Sequence, residues 1–228
     1  MVTSRRSLIV SAAGLALAGG ARAAGIAHAA GTAHAAGKSK EPEVAPAEDL
    51  MREHGVLRRV MFLYDEAAQR LEAGEKPPLD ALAAGGRIVR RVIEEYHEKL
   101  EEDFVFPRLE KAKKQTALTA TLRRQHVAGR TVTAAILKLC DGSDGKALAK
   151  LLRVFNRMYR PHAAREDTVL FPAFHDLVGE RTYRELGEKF EDEEKKRLGD
   201  QGFEGAVDEV AKLEEQFGLA DLDQFTPR

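Results

Sequence analysis

Apolar residues recur at helical spacing along most of this chain from Ala47 onward. Leu50, Leu57, Met61 and Tyr64 stand three, four and seven residues apart and mark one face of a first helix. Gly74-Glu75-Lys76-Pro77-Pro78 stops it. Leu82, Ile88, Val89, Val92, Ile93, Tyr96, Leu100 and Val105 carry a second helix over about residues 79–113. Leu118, Leu122, Val132, Ile136 and Leu137 carry a third over 116–139. Asp141-Gly142-Ser143-Asp144-Gly145 breaks the pattern. A fourth helix follows over 146–178, with Pro161 placed to kink it. Four long amphipathic helices with short connections predict an all-α fold, an up-down-up-down four-helix bundle over residues 47–178. Residues 179–228 read as a C-terminal helical extension of one or two highly charged helices packed outside the bundle.

Composition agrees with helices. Hydrophobic residues make up 43% and charged residues 32%, there is no Trp, and Ala, Leu, Glu, Lys and Arg abound. The formal net charge of −1 leaves no electrostatic footprint for nucleic acid. Cys140 is the single cysteine, so an intramolecular disulfide and a cysteine-based metal or redox motif are both excluded.

The start of the chain has a different character. Ser4-Arg5-Arg6-Ser7-Leu8-Ile9 leads into an apolar stretch ending at Ala18, and small-residue cleavage patterns follow at Ala21-Arg22-Ala23 and Ala33-His34-Ala35. Residues 1–35 are therefore expected to be a signal peptide, and 36–46 a disordered linker without periodicity. A general secretory signal can also carry two arginines. The short, Gly/Ala-rich apolar core favours the twin-arginine export machinery, and hence an extracytoplasmic protein. The segment is too short to span a bilayer, so no stable membrane insertion is expected after cleavage. Removing residues 1–23 deletes three arginines and no acid, which takes the charge from −1 to −4. His28 and His34 fall in this region and are expected to have no metal role.

Two segments repeat one another. His97-Glu98-Lys99-Leu100-Glu101 and His162-Ala163-Ala164-Arg165-Glu166 are both His-x-x-x-Glu, each followed five residues later by Phe-Pro, Phe106-Pro107 and Phe171-Pro172. His and Glu four apart share one face of a helix. Two such faces turned together offer two imidazoles and two carboxylates, the ligand mix for carboxylate-bridged iron or manganese. His54 and His126 lie on the first and third helices, so each of the four helices brings one histidine. A lone inward histidine is commonly a satisfied core residue, but four, two of them paired with Glu, point to a metal centre. The recurrence also suggests an internal repeat, with helices one and two matched by three and four.

These residues resemble the hemerythrin-like, or hemerythrin HHE cation-binding, domain. The resemblance runs from about Asp49 to Val178 through Arg-Glu-His54-Gly, the His97…Glu101…Phe-Pro107 run, Gln-His126 and Tyr-Arg-Pro-His162…Glu166…Phe-Pro172. It implies a four-helix bundle holding two iron ions (Fe2+/Fe3+), bridged by Glu101 and Glu166, with His54, His97, His126 and His162 as terminal ligands. The oxygen carriers of that family have a second histidine one turn after the third-helix one, where this chain has Arg130. A guanidinium cannot ligate a metal. Arg130 is expected either to pair with a carboxylate or bound anion, or to lie on the surface. Glu98 is a weaker candidate for the missing ligand, as in iron-sensing relatives, and is otherwise a solvated helix residue. Glu102 and Asp167 are expected to face solvent or stand behind the ligands. Phe104, Phe106, Phe155, Phe171 and Phe174 are expected to line the bundle and keep it dry. Tyr96 and Tyr159 are core residues or hydrogen-bond donors near the ligands, and His175 has no carboxylate partner at helical spacing.

The functional expectation is a non-haem di-iron protein that binds or reacts with O2, NO or peroxide. The alternative is an iron-binding or iron- and oxygen-sensing module without turnover. A metal-free scaffold is disfavoured by the four histidines, and no pocket for an organic substrate is recognisable.

Overall fold

The structure, a computed structural model, describes residues 45–227. The expected signal peptide and nearly all of the expected linker lie outside the described residues. The described chain is helical, with no strand. The first helix spans Pro46–Glu72. Pro46 sits in its opening turn, where no N–H is needed, and Glu48 and Asp49 complement the positive helix end. It stops at Gly74, whose φ of 79° lets Gly74 and Glu75 donate back to the carbonyls of Leu71 and Arg70.

The second helix is continuous over residues 79–111 but not uniform. It is α-helical over Leu79–Ile88, Glu98–Leu100 and Phe106–Lys111, and π-helical over Val89–His97 and Glu101–Val105. The third helix is Thr116–Leu139. The fourth is α-helical over Gly145–Arg165, opened by Asp144, whose carboxylate accepts from the Ala147 N–H at 2.9 Å. It passes Pro161 as α-helix and becomes π-helical over Glu166–Leu170.

The two short π-helical turns have a common cause in the sequence. Pro107 and Pro172 each stand two residues past the end of one, and a proline ring clashes with the carbonyl four residues earlier, here Asp103 and Thr168, inside the turn. Widening the turn by one residue relieves that clash, and such widenings gather at functional sites. Each begins at the Glu of a His-x-x-x-Glu segment.

The first helix packs along the fourth, the fourth along the third, and the second touches the first and third. Their apolar faces build two clusters. One centres on Leu57, Leu63, Tyr64, Val89 and Phe155, the other on Leu50, Tyr96, Leu100, Phe106, Leu122, Phe171 and Phe174. His54 lies between Leu50 of one and Leu57 of the other, so a polar layer separates two dry cores.

Residues beyond 178 contribute to both cores. Helix Phe171–Leu198 bends at Gly179, where φ is 71°, and its later part places Tyr183, Leu186 and Phe190 in the second cluster. Helix Gly202–Phe217 lies on the first two helices and buries Ala206, Val210, Leu213 and Phe217 in the first cluster. Arg59 pairs there with Glu214 and Arg91 with Glu209. Among the described residues, no helix is long and apolar enough to cross a membrane.

Candidate metal centre

All six residues expected as ligands converge in the polar layer, and none is more than 4% exposed. The four imidazoles turn the same ring atom inward. Nε2 of His54 lies 3.3 Å from Glu166 Oε2, and Nε2 of His162 lies 3.0 Å from Glu166 Oε1. Nε2 of His126 is 3.4 Å and Nε2 of His97 3.7 Å from Glu101 Oε2. The histidines form two pairs, His54 with His97 at 4.6 Å between ring centroids and His126 with His162 at 5.1 Å. Glu166 reaches both pairs with different oxygens, since Oε1 also lies 4.0 Å from Nε2 of His126. His54, His97 and Glu166 can converge on one ion, and His126, His162 and Glu166 on a second.

The outward ring nitrogens are equally ordered. His54 Nδ1 meets Asp167 at 2.6 Å, His97 Nδ1 meets Glu53 at 2.6 Å, His126 Nδ1 meets Glu102 at 3.0 Å and His162 Nδ1 meets Gln125 at 2.9 Å. An oxygen at Nδ1 fixes the tautomer that leaves the Nε2 lone pair free, as in metal sites generally. Each supporting residue is the sequence neighbour of one member of the centre but serves a histidine on another helix. Glu53 precedes His54 and serves His97, while Gln125 precedes His126 and serves His162. Glu102 follows Glu101 and serves His126, while Asp167 follows Glu166 and serves His54. The phenylalanines of the Phe-Pro segments repeat the pattern. Phe106 stacks on His126 at 5.6 Å and Phe171 on His54 at 5.8 Å. The internal repeat is thus a two-fold correspondence of the whole centre, supports included.

The residues fit metal ions. Both carboxylate oxygens of Glu101 and of Glu166, and Nε2 of His97 and of His126, are buried without an aligned hydrogen bond. A buried polar atom left so costs about 1–3 kcal/mol. Burial, and then the charge of Glu166, push the Glu101 carboxyl well above the usual range. Burial acts on Glu166 too, but His162 and His54 outweigh it and hold that carboxyl low. Burial, then neighbouring His54, drives the His97 imidazole well below its ordinary value, so it is neutral and available as a ligand.

Arg130 is neither a ligand nor a free surface cation. Its Nη2 lies 2.7 Å from Glu102 Oε1 and 2.8 Å from Glu98 Oε2. The Glu102 contact is an aligned hydrogen bond, and the Glu98 contact is an ion pair without that alignment. Glu98 is not solvated. It is 1% exposed, and Tyr159 donates to its Oε1 at 2.8 Å. Gly129 makes that approach possible, because a Cβ there would stand 2.0 Å from the Tyr159 hydroxyl oxygen. Glu102 and Asp167 stand behind the histidines. Phe106, Phe155, Phe171 and Phe174 are fully buried, while Phe104 is only partly buried against Phe190. His175 lies away from the centre, beside Tyr183 and Glu180.

The supporting roles of Glu53 and Gln125 were not read from the sequence, although both sit directly before a histidine of the centre. Their weight is testable. Glu53→Ala is expected to lower metal affinity about 10- to 100-fold, the usual cost of a lost partner behind a histidine ligand. Competition with a chelator of known affinity measures it, and an unchanged affinity would make Glu53 a core residue only.

Comparison with known proteins agrees with this geometry. Residues 45–174 match the model of the hemerythrin HHE cation-binding domain. An uncharacterized protein of Mycobacterium tuberculosis and an uncharacterized protein of Mycobacterium bovis are each 45% identical to this chain over 194 residues, which is 82% of this chain and 76% of each of theirs. No solved structure matches the chain.

Proposed function

This chain belongs to the hemerythrin HHE cation-binding domain family, and from that premise we propose that it is a non-haem di-iron protein that binds or reacts with O2, NO or peroxide. The four helices are read as the up-down-up-down bundle of that family, with residues 179–228 as a helical extension. One observation carries the proposal: four Nε2 atoms from four helices face two buried carboxylates that have no other partner. His54, His97, His126 and His162 would be terminal ligands, and Glu101 and Glu166 would bridge. Two iron ions, when bound, would supply a Fe2+/Fe3+ couple and an open position for a small molecule. The protein's own part is to fix four imidazole tautomers, to hold bridging charge out of water, and to keep two apolar clusters on either side.

Glu98, the weaker ligand candidate, is the buried carboxyl group that Arg130 and Tyr159 hold near His126. Arg130 thereby occupies the position of the oxygen carriers' second histidine with a cation tied to two carboxylates. That favours reaction or sensing over stable oxygen carriage. The test is iron content with the ultraviolet-visible spectrum. About two irons per chain, with charge-transfer bands that shift on adding azide or peroxide, are expected. Iron bound with no response to O2, NO, azide or peroxide would leave an iron-binding or sensing module.

We also propose export by the twin-arginine machinery, on the strength of Arg5-Arg6 and the Gly/Ala-rich core after them. Export of folded protein would let the metal be acquired before translocation. Arg5→Lys with Arg6→Lys is expected to block export, because that pathway reads the guanidinium pair. Normal export of the double variant, followed by cell fractionation, would assign the chain to general secretion.

A further inference from the structure

A cavity of about 250 Å3 opens between the first and fourth helices, lined by Arg58, Met61, Phe62, Asp65, Tyr159, Arg160 and Ala163. Its position ties it to the centre. Ala163 follows His162 in the chain, and the Tyr159 ring stands edge-on to the His162 ring at 5.3 Å. Tyr159 is 1% exposed, and its hydroxyl reaches past His162 to Glu98. The Tyr159 ring therefore borders both the cavity and the polar layer.

The lining also sets what the cavity can hold. Met61, Phe62, Ala163 and the Tyr159 ring make it apolar. The charges at its rim are already partnered: Arg58 pairs with Asp167, and Arg160 pairs with Asp65. An anion would have to displace one of those carboxylates. At the outer lip Phe62 is braced by Phe225 of the C-terminal turn Leu222–Phe225, with ring centroids 5.2 Å apart.

We infer that this cavity is the port through which a small uncharged molecule, a diatomic gas, reaches the centre, with Tyr159 as its inner wall. The inference rests on the proposed small-molecule chemistry of the centre. Tyr159 is a positioning residue here, held shut by its hydrogen bond to Glu98 and given room by Gly129. Gas passes when the ring swings, so the rate depends on how firmly that bond holds it.

Xenon tests the cavity without iron, since an apolar site takes up xenon whatever the metal state. Crystals of the protein under xenon pressure should show xenon among Met61, Phe62 and Ala163. Phe62→Trp, a change at a half-buried position, should fill the space and abolish that density. In iron-loaded, reduced protein, stopped-flow mixing with NO should show association slowed several-fold by Phe62→Trp. Tyr159→Phe should quicken it by about tenfold, the factor that one hydrogen bond to a charged group supports. Xenon absent from this cavity, or equal NO association rates in wild type and Phe62→Trp, would overturn the port. A protein that takes up xenon here while NO binds to no variant would instead overturn the proposed function and leave the gas site standing on the xenon result.

Discussion

Glu166→Ala is expected to remove the proposed two-iron centre, and Glu101→Ala to do so nearly as completely. A bridging carboxylate neutralises both cations at once, and alanine leaves two like charges facing each other in a dry pocket. Breaking one partner of a buried ionic arrangement costs about 3–5 kcal/mol, or two to four orders of magnitude in affinity. Glu166 is expected to matter more, because its two oxygens serve different histidine pairs, whereas the close contacts of Glu101 run through Oε2 alone. Loss of one histidine should be milder and leave one iron. Metal analysis after anaerobic loading and desalting distinguishes these outcomes. Two irons per chain in Glu101→Ala would move the bridge to Glu166 and solvent.

Helix positions and inward histidines were legible in the sequence because both rest on periodicity. Leu50, His54, Leu57 and Met61 share a face at any plausible helix geometry, and all four are buried. The His-x-x-x-Glu repeats were legible for the same reason. What spacing could not give is contact between helices. Glu53 and His97 are 44 residues apart and meet at 2.6 Å only because the first two helices pack in one register. Gln125 and His162 meet in the same way. Glu98 illustrates the opposite error. A charged residue next to an expected ligand reads either as a weaker ligand candidate or as solvated, yet Glu98 is buried, and Arg130 and Tyr159 compensate that burial from two other helices. The two π-helical turns were visible as Phe-Pro, but their consequence was not. An extra residue in the turn swings Phe106 and Phe171 toward histidines across the bundle.

The C-terminal region shows another limit of pattern reading. High charge suggested a layer outside the bundle, and Arg52, Arg59 and Arg91 do pair with Glu204, Glu214 and Glu209. Yet Val210, Leu213 and Phe217 enter the same cluster as Leu57 and Val60. Charged and apolar positions fall on opposite faces of this helix, so it packs outside the four helices and still closes the first cluster.

The metal-free protein is expected to lose no stability from a change that would remove its proposed metal bridge. Without ions, the layer between the two cores holds two buried carboxylates whose four oxygens lack aligned donors. Glu101→Gln keeps the shape, makes that position permanently neutral, as its burial beside Glu166 already favours, and supplies an amide donor toward Glu166. Metal-free Glu101→Gln should therefore melt at or above metal-free wild type. Iron reverses the order. A ligand present at a thousand times its dissociation constant stabilises the native state by about 4 kcal/mol. For a domain of this size that is a rise in Tm of about 10 °C, at about 2–4 °C per kcal/mol. Wild type should show that rise on anaerobic addition of Fe(II) and lose it to chelator, while Glu101→Gln should show little of it. Scanning calorimetry of the four samples checks both halves. Metal-free Glu101→Gln melting well below metal-free wild type would mean that protein contacts, not absent ions, hold the Glu101 carboxylate in place.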